Sequence, residues 1–217
     1  MIGDKLANAM NLFGHPSCIN TAKCLQTAGE KGVDVEAHVI QGSGDVMSMS
    51  PLGSAPVLKD LDNVVYGTIA ILSYLDDKGF GPSLVPRNGV LRAQMYQWAH
   101  LVVVYAQPAA SADGGDRDQL TKLYDLLEQR LQSPPKQGGF ICGEFSLADI
   151  HWSACTNMLV NSGASDLVDS RGAVKSWWDA VKSHPSTSKE KLTPFDVLPT
   201  KADMDSGTLR NVAINVL

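Results

Sequence analysis

The stretch AMNLFGHPSCINTAKCLQTAGEKGVDVEAHVI, residues 9–40, decides the fold because it predicts a strand, a helix and a second strand in turn. Residues 9–13 form a short apolar run that is typical of a buried strand. Residues 18–32 place apolar side chains at helical spacing and end in Gly32, which favours a helix stop. Residues 33–40 alternate apolar and polar side chains, as a half-buried strand does.

Two further strands and a helix follow this first unit. Residues 56–59 and 64–66 are short β-type runs separated by turn-forming residues, so they predict a hairpin. Residues 68–78 then carry apolar side chains at helical spacing. A parallel β-α-β unit needs a crossover helix, whereas a hairpin is antiparallel. The complete order, β-α-β followed by β-β-α, is the thioredoxin-like α/β pattern.

The second half of the chain predicts helices and no further strand. Helical patterns cover residues 89–112, 116–132, 146–162 and 171–184. We therefore expect a thioredoxin-like domain (1–79), a Gly- and Pro-rich linker (80–88), an all-helical domain (89–187) and a C-terminal extension (188–217). The extension is either a frayed terminus or a segment that packs on the chain's own body or on a partner.

The composition of the 217 residues is that of an ordinary globular protein, with 44% hydrophobic and 19% charged residues. The net charge is −5 and no Lys/Arg cluster is present, which argues against nucleic acid or an anionic membrane as the main partner. No apolar run reaches membrane-spanning length, and the N-terminus lacks the layout of a signal peptide. We expect a cytoplasmic protein, or an organellar one if a targeting segment was removed.

The cysteines and histidines show no metal-binding or disulfide pattern. The 4 cysteines contain no C-x-x-C pair, so we expect free thiols in a reducing compartment; they are Cys18, Cys24, Cys142 and Cys155. The 5 histidines are scattered along the chain without ligand spacing. We expect no metal.

Ser146 and Asp149 have the spacing of a helix capping box. A serine at the N-cap and an acidic residue three positions later satisfy backbone N–H groups that the first helical turn leaves free. This pattern predicts that Asp149 is buried and bonded to the backbone around Ser146. Both residues are therefore expected to be structural rather than catalytic.

Three segments together resemble the glutathione transferase family: LFGHPSCINT (12–21), SPLGSAPVL (50–58) and FICGEFSLADI (140–150). The first is similar to the strand-to-helix turn that carries the catalytic residue in phi- and theta-like members. The second is similar to the segment with a cis proline, which implies that Pro56 is cis. The third is similar to the capping segment of the all-helical domain. The resemblance covers roughly residues 9–187 and implies that glutathione is a substrate.

Cys18 stands where the phi-like pattern has a serine, and Ser17 precedes it. A cysteine at this position resembles the omega-, lambda- and beta-like transferases, which form a mixed disulfide with glutathione and perform thiol transfer or deglutathionylation. The physics agrees, because a helix N-terminus stabilises a thiolate and a thiolate attacks disulfides. The alternatives are that Ser17 donates to the glutathione sulfur or that neither residue acts.

The resemblance also implies a set of glutathione contacts. The backbone of Ala55, before Pro56, would pair with the cysteinyl part of glutathione. Gly67 and Thr68 stand where an acidic residue and a Ser or Thr usually bind the γ-glutamyl end. Gln41 is the nearest candidate for the glycyl carboxylate, because the loop before Pro56 contains no Lys, Arg or His. Losing two charge-assisted hydrogen bonds would weaken affinity by about 100-fold or more, if nothing compensates.

Two functions remain open. The first is an enzyme that conjugates glutathione to small electrophiles, as in detoxification, or that performs Cys-dependent thiol transfer on a small hydrophobic or disulfide substrate. The second is a non-catalytic binding or structural subunit of a larger assembly. The resemblance favours a homodimer or a larger complex, with residues 66–75 and 89–112 near the contact. Apolar side chains of the first helix of the all-helical half would be core or dimer contacts more often than substrate contacts: Met95, Trp98, Leu101, Val102 and Tyr105.

Overall fold

The computed structural model of the protein describes residues 10–40, 44–111, 115–184 and 214–216. These residues form two compact units. The first contains the described residues up to Gly81 together with 214–216, and the second contains those from Pro82 onward to 184. The break after Gly81 falls inside the segment that its glycines and prolines predict as a linker.

The first unit is a mixed sheet with helices, and it confirms the thioredoxin-like prediction. Its elements are β1 (Met10–Gly14), α1 (Ile19–Lys31), β2 (Val35–Val39), α2 (Gly44–Met47), β3 (Val57–Asp60), β4 (Asn63–Tyr66) and α3 (Thr68–Lys78). β1 pairs with β2 in parallel and with β3 antiparallel, and β3 and β4 form the hairpin. The one-turn helix α2 was not predicted, because four residues are too few to show a helical period.

The C-terminal segment adds a fifth strand to this sheet. β5 (Ile214–Val216) pairs in parallel with β2, and the strand order is β4-β3-β1-β2-β5. The prediction of no further strand after the linker is therefore wrong here, because three residues are too short for a visible alternation. β5 lies on the chain's own sheet. The rest of the predicted extension, residues 188–213 and 217, lies outside the described residues.

A buried ion pair connects the two long helices of the first unit. α1 packs against α3, and Lys31 Nζ lies 3.0 Å from Asp76 Oδ1, with each side chain 3% exposed. Lys31 is in the last turn of α1, where a positive charge also interacts favourably with the helix dipole. Gly32 follows in the left-handed conformation (φ 61°), which confirms the predicted stop.

The second unit is all-helical in the part of it that is described. It contains α4 (Gly89–Leu101), which continues through a π-helical turn (Val102–Ala106) into α5 (Gln107–Ser111), then α6 (Arg117–Gln132), α7 (Leu147–Asn161), α8 (Asp166–Asp169) and α9 (Gly172–Lys182). The long helices lie where the sequence predicts them, and only the one-turn α8 was missed. Across the described chain, no helix has the length and apolarity needed to cross a bilayer.

Most of the apolar residues singled out on α4 and the π-helical turn after it belong to the core of this unit. Met95, Trp98 and Val102 are buried, as expected of core contacts. Leu101 and Tyr105 instead line a groove of about 540 Å³ together with residues of α6. The preference for a core role is therefore right for three of the five side chains.

Asp149 is buried at the start of α7 and confirms the predicted capping role. Its Oδ2 accepts hydrogen bonds from the backbone N–H (3.0 Å) and the hydroxyl (2.9 Å) of Ser146. Its Oδ1 accepts two more, from the backbone N–H of Ile141 (3.0 Å) and from Trp177 Nε1 (2.9 Å). The carboxylate thus joins the capping segment to α9, which the sequence did not indicate.

Candidate functional site

The strand register brings the predicted site segments to one end of the first unit's sheet. Phe13 of β1 pairs with Val57 of β3, and Val57 pairs on its other side with Tyr66 of β4. Partners on adjacent strands lie about 5 Å apart. The segments that continue from these three residues therefore start side by side.

Five of the predicted residues belong to those segments. Ser17 and Cys18 follow β1, Ala55 and Pro56 precede β3, and Gly67 follows β4. Thr68 comes next, as the first residue of α3. Gln41, the fifth candidate for glutathione binding, lies outside the described residues.

Cys18 occupies the N-cap of α1, with extended backbone angles (φ −84°, ψ 116°) and a half-buried side chain. A β-turn leads into it, because the N–H of Cys18 donates to the carbonyl oxygen of His15 at 2.9 Å. Pro16 holds the second position of this turn, where its fixed φ is favoured. No side chain among the described residues caps α1. The helix dipole places a partial positive charge at this end of α1, which favours a negative charge beside it.

Cys18 differs from the other cysteines in its exposure. All 4 cysteines lie in the described part of the chain as free thiols, and Cys18 alone is not buried. Burial raises the pKa of the Cys24 thiol, and a negative charge at Cys18 would raise it further. Burial also raises the pKa of Cys142. The thiolate chemistry predicted from the sequence therefore has one accessible candidate.

Ser17 is exposed, and its side chain contacts His15, which the sequence analysis did not select as a site residue. Its hydroxyl oxygen lies 2.6 Å from His15 Nδ1, and its backbone N–H donates to the same nitrogen at 3.2 Å. The signal was present in the order His15-Pro16-Ser17. A polar side chain at the first position of a turn can accept the amide two residues on, as Asn and Asp do in Asx turns.

The Ala55–Pro56 peptide bond is cis, as predicted. Pro56 is buried and Ala55 is half-buried.

Gly67 is the N-cap of α3 and adopts φ 85° and ψ 122°, a conformation that favours glycine. A Cβ built on it would meet nothing within 4 Å, so any cost of a side chain here comes from the backbone angle rather than from crowding. The acidic residue of the family pattern is therefore absent from a position whose backbone suits glycine. Thr68 and the uncapped amides of α3 are the groups that could hold a carboxylate.

Replacing Gly67 by alanine is expected to lower the free energy of unfolding by about 1–2 kcal/mol, because a Cβ disfavours this φ. Gly44→Ala is the matched control, since that glycine has an ordinary φ, is equally open and lies in the same unit. Urea unfolding of both variants checks the difference. Equal stability of the two would show that the positive φ does not matter for folding.

In the described residues, no group of three or more His, Cys, Asp or Glu side chains has the arrangement of a metal site. The positioned groups are instead a partly exposed thiol, a cis-proline segment and an open helix N-terminus. A partly exposed thiol of this kind can attack a disulfide and form a mixed disulfide.

Comparison with known proteins agrees with this arrangement. Residues 8–77 match the family model "Glutathione S-transferase, N-terminal domain", and residues 97–189 match "Glutathione S-transferase, C-terminal domain". The chain belongs to the glutathione S-transferase family. Both halves of the transferase fold are thus identified, and each corresponds to one of the two units.

Individual transferases and one differently named relative are similar to this family member. It is 28% identical over 192 residues to Glutathione S-transferase F14 of Arabidopsis thaliana, covering 74% of each chain. It is 29% identical over 154 residues to the Stringent starvation protein A homolog of Pasteurella multocida (strain Pm70), covering 65% of this chain and 71% of the relative. The apo structure of glutathione S-transferase III matches with a TM-score of 0.72 at 26% identity, covering 82% and 94% of the two chains.

Proposed function

We propose that this transferase-family protein uses Cys18 for thiol–disulfide exchange with glutathione, in thiol transfer or deglutathionylation. The observation that carries the proposal is the placement of Cys18. It is the accessible cysteine, it stands at an uncapped helix N-terminus, and it follows the strand that pairs beside the Pro56 segment. A helix N-terminus lowers the free energy of a thiolate relative to a thiol, which favours attack on a disulfide.

The reaction is two successive thiol–disulfide exchanges. The Cys18 thiolate attacks the glutathione sulfur of a mixed disulfide, forming a Cys18–glutathione disulfide and releasing the substrate thiolate, which takes a proton from water. A second glutathione, as its thiolate, then attacks the glutathione sulfur bound to Cys18. Glutathione disulfide leaves and the Cys18 thiolate is restored. In the net reaction the mixed disulfide and one glutathione give the substrate thiol and glutathione disulfide, so one disulfide bond breaks, one forms and the electrons balance.

Binding of glutathione would rest on backbone groups and one hydroxyl. The backbone of Ala55 would pair with the cysteinyl part, and Thr68 with the α3 amides would hold the γ-glutamyl carboxylate. Gly67 offers no acid for the α-amino group, and Gln41 is the candidate for the glycyl carboxylate. We therefore expect weak binding that is sufficient at high glutathione concentration.

We also propose that the protein is a cytoplasmic homodimer. Tyr66 (48% exposed) and Ile69 (54% exposed) support it, since large apolar side chains at the surface are common at contacts between subunits. Light scattering at micromolar concentration tests the mass. A strictly monomeric result contradicts the dimer.

Cys18→Ala is expected to abolish thiol transfer, because no other accessible thiol can form the mixed disulfide. Incubation with glutathione disulfide, followed by peptide mapping, should find the adduct on Cys18 and its release by added glutathione. Cys18→Ser is the informative companion variant. A hydroxyl can donate to a bound thiolate without being consumed, so we expect it to lose thiol transfer and to support glutathione conjugation instead. Thiol transfer that survives in Cys18→Ala contradicts the proposal.

A non-catalytic binding subunit is the second candidate. It is favoured by Gly67 in place of the acid, by the loop without a basic residue and by a relative that is not named as a transferase. Retention on immobilised glutathione separates the two. Absence of retention, of a Cys18 adduct and of heat stabilisation by glutathione would together favour this second function over the enzyme.

A further inference from the structure

We propose that His15 is a positioning residue: its Nδ1 accepts a hydrogen bond from the Ser17 hydroxyl and holds the turn before α1, which leaves the sulfur chemistry to Cys18. The proposal rests on the proposed function for its consequence in catalysis. Its geometry concerns only the turn between β1 and α1 and does not involve glutathione.

The first step is a count of protons around His15 Nδ1. The backbone N–H of Ser17 donates to this nitrogen at 3.2 Å, and from this direction we infer that Nδ1 is the acceptor and that the ring proton is on Nε2. In this tautomer the Ser17 hydroxyl, 2.6 Å from the same nitrogen, is the donor of the second contact. A hydroxyl has one proton. While Ser17 donates it to His15, it has none to donate to a glutathione sulfur.

The second step is the way His15 fixes the turn. Its carbonyl oxygen accepts the N–H of Cys18 at 2.9 Å, and its own N–H donates to Thr21 Oγ1 at 3.3 Å. Thr21 is buried on α1, and a Cβ on Gly14 would come within 2.4 Å of its hydroxyl, so strand and helix are in close contact here. The backbone of His15 is thus hydrogen-bonded to Thr21 of α1 and to Cys18 at the N-cap, while its ring contacts Ser17.

The two steps give His15 a role that it performs through Ser17 and the backbone. With the ring in place, the amide of Ser17 is fixed and the turn holds Cys18 at the helix N-terminus. Without the ring, the turn loses the two hydrogen bonds to Nδ1 and the hydroxyl of Ser17 is released. The reactivity of Cys18 should therefore depend on residue 15 having an acceptor within reach of the Ser17 amide.

Three variants test this inference, with the rate of Cys18 alkylation by iodoacetamide at neutral pH as the readout. His15→Ala is expected to slow alkylation by about three- to fivefold, the size of a lost helix-terminus contribution. His15→Asn should restore the rate to within about twofold, because an Asn oxygen can accept the same amide in an Asx turn. Ser17→Ala should also stay within about twofold, since only an amide contact is needed. The melting temperature of each variant is measured alongside.

A wild-type alkylation rate in His15→Ala would overturn the inference. So would a loss in His15→Asn as large as in His15→Ala, or a loss of thiol transfer in Ser17→Ala. An independent readout is the ¹⁵N spectrum of His15, which should show an unprotonated Nδ1 and a protonated Nε2. The reverse tautomer contradicts the proton count even if every variant folds normally.

The experiment separates this inference from the proposed function. Alkylation and the nitrogen spectrum do not require glutathione. If the wild-type protein forms no Cys18–glutathione disulfide but the alkylation pattern holds, the function fails and the positioning role stands. If the disulfide forms but the pattern fails, the function stands and the role of His15 is wrong.

Discussion

Asp149→Ala is expected to lower the free energy of unfolding by about 3–5 kcal/mol. The carboxylate accepts four hydrogen bonds in a buried site, from Ile141, from Trp177 and twice from Ser146. Alanine leaves all four donors without this acceptor, and each unsatisfied buried donor costs about 1–3 kcal/mol before any relaxation. Urea unfolding of wild type and variant measures the loss.

Asp116→Ala is the matched control for the capping part of this effect. Asp116 caps α6 through one hydrogen bond from the N–H of Gln119 (3.0 Å) and is exposed. Its loss is expected to cost about 1 kcal/mol, as for an ordinary N-cap. If Asp149→Ala cost no more than Asp116→Ala, the contacts to Ile141 and Trp177 would contribute nothing to stability.

The same carboxylate should make stability depend on pH in a defined direction. Burial raises the pKa of Asp149 from 3.8 to about 6, against the opposing effect of its four hydrogen-bond donors. Between these values the folded state keeps the proton and the unfolded state has lost it, so raising the pH disfavours folding. The stability contributed by this proton is complete below about pH 4 and is lost as the pH rises through about 6, a change on the order of 3 kcal/mol.

Asp149→Asn supplies the reference for that measurement, because an amide of the same shape does not titrate. The stability of the wild-type protein relative to this variant should fall from about pH 4 to about pH 6 and then stay level. Urea unfolding at a series of pH values gives both curves. A stability difference between wild type and variant that rises with pH over this interval would mean that folding lowers the pKa of Asp149 instead of raising it.

Asp76→Ala is expected to cost about 3–5 kcal/mol, because it leaves the ammonium group of Lys31 buried without its carboxylate. Both side chains are 3% exposed, so water does not reach the site to replace the lost partner. Asp76→Asn should cost less than Asp76→Ala, since it keeps an oxygen that can accept from Lys31. Thermal and urea unfolding measure both.

The control for the ion pair is Asp169→Ala. Asp169 pairs with Lys175 at 3.4 Å, and both side chains are more than half exposed. Its loss should change stability by less than about 1 kcal/mol, as is usual for surface pairs. A similar small effect in Asp76→Ala would mean that Lys31 finds another partner or reaches solvent when the carboxylate is removed.

Local patterns in the sequence were enough to determine most of the fold and part of the site. The apolar periods of residues 9–40 gave the β-α-β unit, and the capping box gave the position of Asp149 at the start of a helix. Such signals lie within a few residues of each other, so they are visible without the folded chain. The segment around Pro56 also identified the cis bond, through its family resemblance.

Contacts between distant residues were decided only by the tertiary structure. Trp177 donates to Asp149 from 28 positions away, and Asp76 lies 45 positions after Lys31; neither spacing follows a helical or strand period. β5 is too short to show a strand pattern in the sequence. It forms by pairing with the edge of β2, whose backbone groups would otherwise lack a neighbouring strand. The Ser17 hydroxyl was an open candidate in the sequence, and its contact with His15 depends on the turn angles of the folded chain.

The sequence by itself thus determined which elements form and where Cys18 stands, because these follow from neighbouring residues. Packing decided which buried charges and donors meet, because that depends on how separate elements come together.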